Sequence, residues 1–366
     1  MRKFSFYFCG YTSMIRYIFH RLFLGVLSLV TLIVIISTII YASPVDPASL
    51  SFGQQMSEEM LEAKRTELML DQPIYRQIIS FLNDLSPIGV YESNSTKIKD
   101  FKAISLFNGL FEGEKSLLLK SPYLRRSFQT GDSVSSMILS ALPNTILLSL
   151  LSIIFASLFG ILFGITAALN RDKFIDNFII GFSTLGYSVP SYVSAILLSL
   201  IFGFWLRDWT HLNMQGSLLT LNDLGDEVRQ WKNIILPAIA LGVRPVAVIT
   251  QITRNTMIDV ISKPYILTAK AKGLSSFRII KDHVLKNLMN PVVTSISGWF
   301  ASLLAGAFFV ESIFNYYGMG LLTVNALINY DIPVLLGCLV VIALIFIIMN
   351  VLLDYIYIWI DKRIKI

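Results

Sequence analysis

Three histidines, two cysteines and an adjacent pair of glutamates are the residues of this 366-residue chain best suited to chemistry, and their spacing argues against most of it. His20, His211 and His283 are far apart and fall at different levels of the hydropathy pattern, so they make no metal-ligand set. Cys9 and Cys338 lie near opposite ends of the chain, which leaves no disulfide framework. Glu58-Glu59 belongs to a polar, helix-forming stretch and reads as a solvated face. No GxxxxGK[ST] phosphate loop, GxSxG elbow or HExxH motif occurs. No catalytic residue, cofactor or metal is therefore expected, and ATP is not bound by a phosphate loop of this chain. Two charged residues inside apolar stretches remain. Arg244, next to Pro245, is costly at that depth unless it faces protein or water. It reads either as a buried pair with a carboxylate or backbone carbonyls, or as the lining of a water-filled path. Glu311 reads either as an acid at a pore mouth or as an interfacial residue.

The elements that must position these residues are membrane spans. The chain is 54% hydrophobic and only 15% charged, with a mean hydropathy of +0.66. Soluble domains carry about 25% charged residues. An all-α polytopic membrane protein with six transmembrane helices is expected. The spans fall at 22–41, about 143–169, about 178–206 with Pro190 as a kink, about 234–252, about 291–309 and about 334–356. The first is too long and too uniformly apolar for a signal peptide. Sixteen of the thirty basic residues lie before the first span, in 170–176, in 254–286 and at the C-terminal end, while 313–333 has none. That asymmetry puts both termini in the cytoplasm and the net charge of +6 at membrane edges, where it speaks for lipid and not for nucleic acid.

The layout is then a cytoplasmic N-terminus (1–21), a first span (22–41), a large extracytoplasmic segment (42–139) and a core (140–366). Within the outer segment, SEEMLEAKRTELMLDQPIYRQIISFLNDL predicts two helices broken at Gln72-Pro73, and 86–120 reads as a loop with local structure. In the fifth span Gly298, Ser302 and Gly306 recur every four residues and form a smooth stripe, suited either to close helix packing or to an unobstructed pathway. Gly160 and Gly164 in the second span read as packing.

One cytoplasmic stretch breaks the apolar pattern: the loop 254–290. Pro264 opens a short helix over Tyr265–Lys272, with Leu267, Ala271 and Leu274 on one face, and Gly273 closes it. A second, amphipathic helix is predicted from about Ser276 to Met289, with Ile280, Val284 and Leu288 in a stripe. On periodicity alone this pair either inserts into a groove on a partner protein or rests on lipid.

The loop resembles the docking loop of ABC importer permeases, the binding-protein-dependent transport inner-membrane components, in their dipeptide/oligopeptide/nickel branch. It carries Arg254-Asn255-Thr256-Met257, then Tyr265-Ile266, Thr268-Ala269-Lys270-Ala271-Lys272-Gly273-Leu274, then His283, Leu285-Lys286-Asn287 and Pro291-Val292-Val293-Thr294. Pro44-Val45-Asp46-Pro47, Leu70-Asp71-Gln72-Pro73, Ser127-Phe128, Pro143-Asn144-Thr145 and Tyr187-Ser188-Val189-Pro190-Ser191-Tyr192 extend the likeness, as do Val310-Glu311-Ser312-Ile313-Phe314 with Gly318-Met319-Gly320, and Asp361-Lys362-Arg363-Ile364. Valine stands for the glycine of the family's P-G-D-P, Tyr317 replaces a proline, the terminal D-P-R-I lacks its proline, and Glu-Ala-Ala of the wider superfamily is absent. Residues 86–120 look like an insertion. The resemblance implies a transport subunit, not an enzyme, in a multi-pass bacterial inner membrane location. It implies a second homologous permease, two ABC ATPase chains or domains and an extracytoplasmic substrate-binding protein as partners. It implies ATPase coupling through Tyr265, Thr268, Ala269, Lys270, Ala271, Lys272 and Gly273. Peptides are the expected cargo, with nickel or another small solute as the alternative. A secondary transporter or channel is disfavoured by the scarcity of charge in the spans.

Overall fold

The computed structural model describes residues 4–41, 59, 62, 65–66, 70–92, 104–110, 115–221 and 225–360. The first of the two helices expected in the outer segment lies mostly outside these residues. All six apolar stretches are helical. Helix α1 is Phe4–Tyr41 and α2 is Ile74–Leu85. Strands β1 (Ile88–Glu92), β2 (Ile104–Leu110) and β3 (Lys115–Leu119) follow. Helix α3 is Val134–Leu169, α4 is Phe174–Ser188 and α5 is Ser191–Trp205, the second half of which is a π-helix. A small hairpin, β4 (Leu219–Leu221) and β5 (Glu227–Arg229), leads to α6, Lys232–Ile261. Then come α7 (Pro264–Ala271), α8 (Ser276–Ile279), a π-turn at Ile280–Val284, and α9 (Leu285–Gly306). Helices α10 (Phe308–Ile313), α11 (Met319–Ile328) and α12 (Ile332–Ile360) complete the chain. Among the described residues α3, α6 and α12 are long and apolar enough to cross a membrane, and the α4–α5 pair together makes a fourth, broken candidate.

Three expectations need correction. The chain is mostly helical, but β1, β2 and β3 of the outer segment build a three-stranded antiparallel sheet in the order β1-β3-β2. Short, locally ambiguous strands acquire their identity only from pairing. Pro190 does not kink a continuous third span. It ends one helix and starts another, with 105° between α4 and α5. Proline forces the preceding Val189 into an extended conformation (φ −78°, ψ 125°), which a helix interior cannot accommodate. The second helix of the 254–290 loop does not stop at Met289. It runs through the π-turn into α9, with Pro291 inside the helix.

The chain divides into two units, 1–24 with 142–321 and 342–366, and 25–141 with 322–341. In the first, α3, α6, α9 and α10 share a core of Leu148, Ala156, Leu241, Ile249, Leu288, Val292 and Val310. Glycine lets α3 and α6 approach closely. A Cβ on Gly164 would stand 2.4 Å from Thr253 Cβ, and one on Gly160 would stand 2.7 Å from Ile249 Cβ. Packing is thus the role of this pair. Gly164→Val should cost about 2 kcal/mol or more, read as a lower melting temperature of the purified chain. An unchanged melt would mean that the helices separate freely.

In the second unit the carboxylate and carbonyl of Asp84 organise α2 and the sheet. The buried carboxylate accepts from Arg125 Nε at 2.7 Å and from the Tyr91 hydroxyl at 2.9 Å, and Lys120 Nζ donates to the Asp84 carbonyl. Burial pulls the Lys120 ammonium below its usual pKa, against the opposing attraction of Asp84. The Asn83 side chain pairs with both the N–H and the carbonyl of Val90 and so covers the outer edge of β1 there. Elsewhere in this unit Asp331 accepts from the Ser127 hydroxyl and from the Phe128 N–H at 3.0 Å, tying that loop to the start of α12.

Candidate functional site

The site is built around α7. Lys263 is extended (φ −71°, ψ 146°) and Pro264 supplies the first helical residue, so the chain turns out of α6 and restarts at once. The helix ends in a Schellman arrangement: Gly273 N–H donates to the Lys270 carbonyl at 2.9 Å, and Leu274 N–H to the Ala269 carbonyl at 3.3 Å. Gly273 has φ +77°, and a Cβ there would meet no neighbour, so the backbone alone demands glycine.

One face of α7 is seated on its own chain. Ile266 and Ala269 are buried with Ala168, Met257, Val260, Ile279 and Val284, and Leu274 packs at the edge. The Tyr265 hydroxyl accepts from Asn287 Nδ2 at 3.2 Å, linking α7 to α9. The opposite face is free: Leu267 is 60% exposed, and Thr268, Lys270, Ala271, Lys272 and Gly273 are exposed with it. The expected face of Leu267, Ala271 and Leu274 is thus split, since Leu274 turns inward. Ala269, expected among the coupling residues, faces the interior of its own chain.

Beneath α7 a second device holds the end of α6. Arg254 Nε and Nη2 donate to the two carboxylate oxygens of Asp176, both at 2.6 Å, and Asp172 N–H adds a bond at 2.9 Å. The Arg254 hydrogen bonds hold the Asp176 carboxyl below its usual pKa. Arg254 is visible in the sequence motif. Asp176 has no such signal, as it stands 78 residues away.

Glu311, expected at a pore mouth or an interface, is fully buried. Its carboxylate accepts from Thr145 Oγ1 at 2.7 Å, from Gly320 N–H at 2.7 Å and from Leu321 N–H at 3.1 Å. Thr145 Oγ1 in turn accepts from Met319 N–H at 2.8 Å. The acid therefore caps the first turn of α11, where backbone N–H groups lack helical partners. Gly318 and Gly320 leave room for it, since Cβ atoms there would stand 2.5 and 2.9 Å from Glu311 Oε2.

Arg244 has no carboxylate partner among the described residues. Its guanidinium carbon lies 5.4 Å from the Tyr187 ring centre, and its Nε is buried without a hydrogen-bond partner. Among the described residues, nothing lies within 4 Å of a Cβ built on Gly298. With Ser295, Trp299 and Ser302 it lines an open hollow of about 280 Å³. Gly306 closes the same helix, and its surroundings lie outside the described side chains.

A chain with several long apolar helices and a broken helix pair is a multi-span membrane protein in its architecture. Comparison with known proteins gives the family. Residues 160–366 match the binding-protein-dependent transport system inner membrane component family, and residues 14–97 match its N-terminal module. The chain belongs to that family and is a multi-pass protein of the bacterial inner membrane. It is 30% identical over 355 residues to a protein of Brucella suis biovar 1 (strain 1330) named as a candidate peptide permease, covering 96% of this chain and all of that one. It is 36% identical over 235 residues to the dipeptide transport system permease protein DppB of Bacillus subtilis (strain 168), covering 64% of this chain and 72% of the relative. It is 28% identical over 338 residues to the di/tripeptide transport system permease protein DppB of Pseudomonas aeruginosa (strain UCBPP-PA14), covering 88% and 90%. In fold it is similar to a chain of the MetNI methionine ABC transporter in an inward-facing conformation, with a TM-score of 0.50, 14% identity, and coverage of 62% of this chain and 97% of that one.

Proposed function

We propose that this chain is the membrane-spanning permease subunit of an ATP-driven importer of peptides. It pairs with a second, homologous permease and couples through α7 to separate ATPase chains. Six spans place both termini in the cytoplasm, and residues 42–139 face outward, where an external substrate-binding protein delivers cargo. The charge asymmetry of the loops supports the orientation, and the names of the DppB relatives support peptides as cargo.

The observation that carries the coupling role is the two-faced seating of α7. A helix locked on one side by Ile266 and Ala269 moves with its own bundle, while Leu267, Lys270 and Ala271 are free for a partner. Such a lever transmits force only because it is rigid. Closure of the ATPases around ATP then favours one arrangement of the spans over the other through differential binding. The Arg254–Asp176 clamp stiffens the point where α7 leaves α6.

The test is affinity capture of the tagged chain from its own membrane in mild detergent. The expected yield is one further permease and a phosphate-loop ATPase, and the captured complex, reconstituted with its binding protein, takes up short peptides only with ATP. A homo-oligomer without ATPase would overturn the reading.

A further inference from the structure

We propose that the apolar cavity in the elbow between α4 and α5 is a lipid site, occupied by one acyl chain of an inner-leaflet phospholipid. The proposal is independent of the cargo. It takes from the reading above only that the α3–α4 turn is cytoplasmic.

The cavity holds about 630 Å³ and is walled by α3, α4, α5 and α6. Its lining crosses the 105° break: Gly186 comes from one arm, Leu197 from the other and Val189 from the break itself. Along α3, Phe155, Phe159 and Phe163 form a continuous wall of rings, with centroids 4.8 and 5.8 Å apart. Phe182 and Leu197 line the cavity and are 65% and 47% exposed, so it opens at the surface of the chain.

The chemistry of the lining selects the occupant. It has no charged residue, and Ser183 and Ser194 are its only polar side chains among the described residues. Water does not persist in a cavity without polar partners. A peptide brings N–H and C=O groups that such a wall leaves unpaired, at several kcal/mol each. A helix of a neighbouring subunit, about 10–12 Å across, finds room for little more than one turn. An acyl chain is slim, flexible and free of polar groups, and it surrounds every span. Left empty, the ring wall forfeits its dispersion contacts on one side. Depth agrees with this choice. Helix α3 is long and apolar enough to cross a membrane, and the turn after it carries exposed Arg171 and Lys173, which mark the head-group level. By helix rise Phe163 lies about 9 Å from the end of α3 at Leu169, and Phe155 about 21 Å. One leaflet with its head groups is about 20–22 Å thick, so the wall follows the chain region of that leaflet.

The test uses the complete transporter in vesicles of phosphatidylethanolamine and phosphatidylglycerol. A trace of phosphatidylglycerol carries a photoreactive diazirine at the end of one acyl chain, and labelled residues are mapped by mass spectrometry after irradiation. Phe155, in the cavity, is compared with Ile154 and Leu158, which are exposed on the same helix. Phe155 is expected to carry at least as much label as either. Leu197→Trp, which puts an indole at the mouth, is expected to lower the label at Phe155 about five-fold and to leave Ile154 and Leu158 within about two-fold. A second measurement needs no variant: moving the diazirine to the carbon next to the glycerol ester is expected to shift label from Phe155 to Phe163. Label confined to Ile154 and Leu158 overturns the proposal, as ordinary bilayer contact only. So does label at Phe155 that Leu197→Trp leaves unchanged, or a shift in the reverse order along α3. Absence of label from all three residues also overturns it and assigns this flank to a neighbouring subunit.

Discussion

Leu267→Asp leaves the permease folded but separates it from its ATPase. Leu267 projects from the free face of α7, so a carboxylate there costs this chain nothing by burial. In an apolar groove of a partner the same carboxylate has to be desolvated without a counter-charge, which costs several kcal/mol. ATPase recovered with the tagged permease is expected to fall more than ten-fold, with uptake falling in parallel, while the melting temperature of the permease stays the same. Undiminished ATPase recovery would show that α7 is not the contact. Ala269→Asp is the informative contrast. Ala269 is sealed against Met257 and Val260, so its variant is expected to lower the amount of folded permease and not merely its pairing. Gly273→Trp acts through the backbone, because a side chain at φ +77° strains the turn by about 1–2 kcal/mol and loosens the end of the lever.

Glu311→Ala should be the most damaging single substitution away from α7. It removes the acceptor of three buried donors, Thr145 Oγ1 and the N–H groups of Gly320 and Leu321. An unsatisfied buried donor costs about 1–3 kcal/mol, so a total above about 3 kcal/mol is expected. The predicted result is little or no monodisperse protein on size exclusion in detergent. Glu311→Gln, which keeps an acceptor oxygen, should recover part of the yield. Gly320→Ala should resemble the alanine variant of Glu311, since its Cβ would stand 2.6 Å from Phe308 Cα as well as meeting the acid. A Glu311→Ala protein with wild-type yield and melting would remove the acid from its structural role and return it to the pathway.

What the sequence determined by itself is what local chemistry decides. Runs of apolar residues long enough for a bilayer announce helices whatever packs around them. Pro264 and Gly273 mark the start and stop of α7 because each acts on its own backbone dihedrals. The motif residues from Tyr265 to Leu274 and from Val310 to Gly320 carried the family resemblance for the same reason: they are contiguous. The tertiary structure decided which side of each helix is covered and what the polar residues are for. In a chain this apolar the pattern around α7 does not distinguish the seated face from the free one, so Ala269 and Leu267 look equally available until the core under the helix is seen. The sequence leaves Arg244 open between a buried pair and the lining of a water-filled path, and the tyrosine ring beside it carries no signal along the chain. Glu311 and Thr145 are 166 residues apart, and their bond depends on two helices that meet only after the bundle has formed. The bend at Pro190 was announced by the proline, but its 105° was not, because proline breaks the helical hydrogen-bond ladder while neighbouring helices set the direction in which the chain resumes.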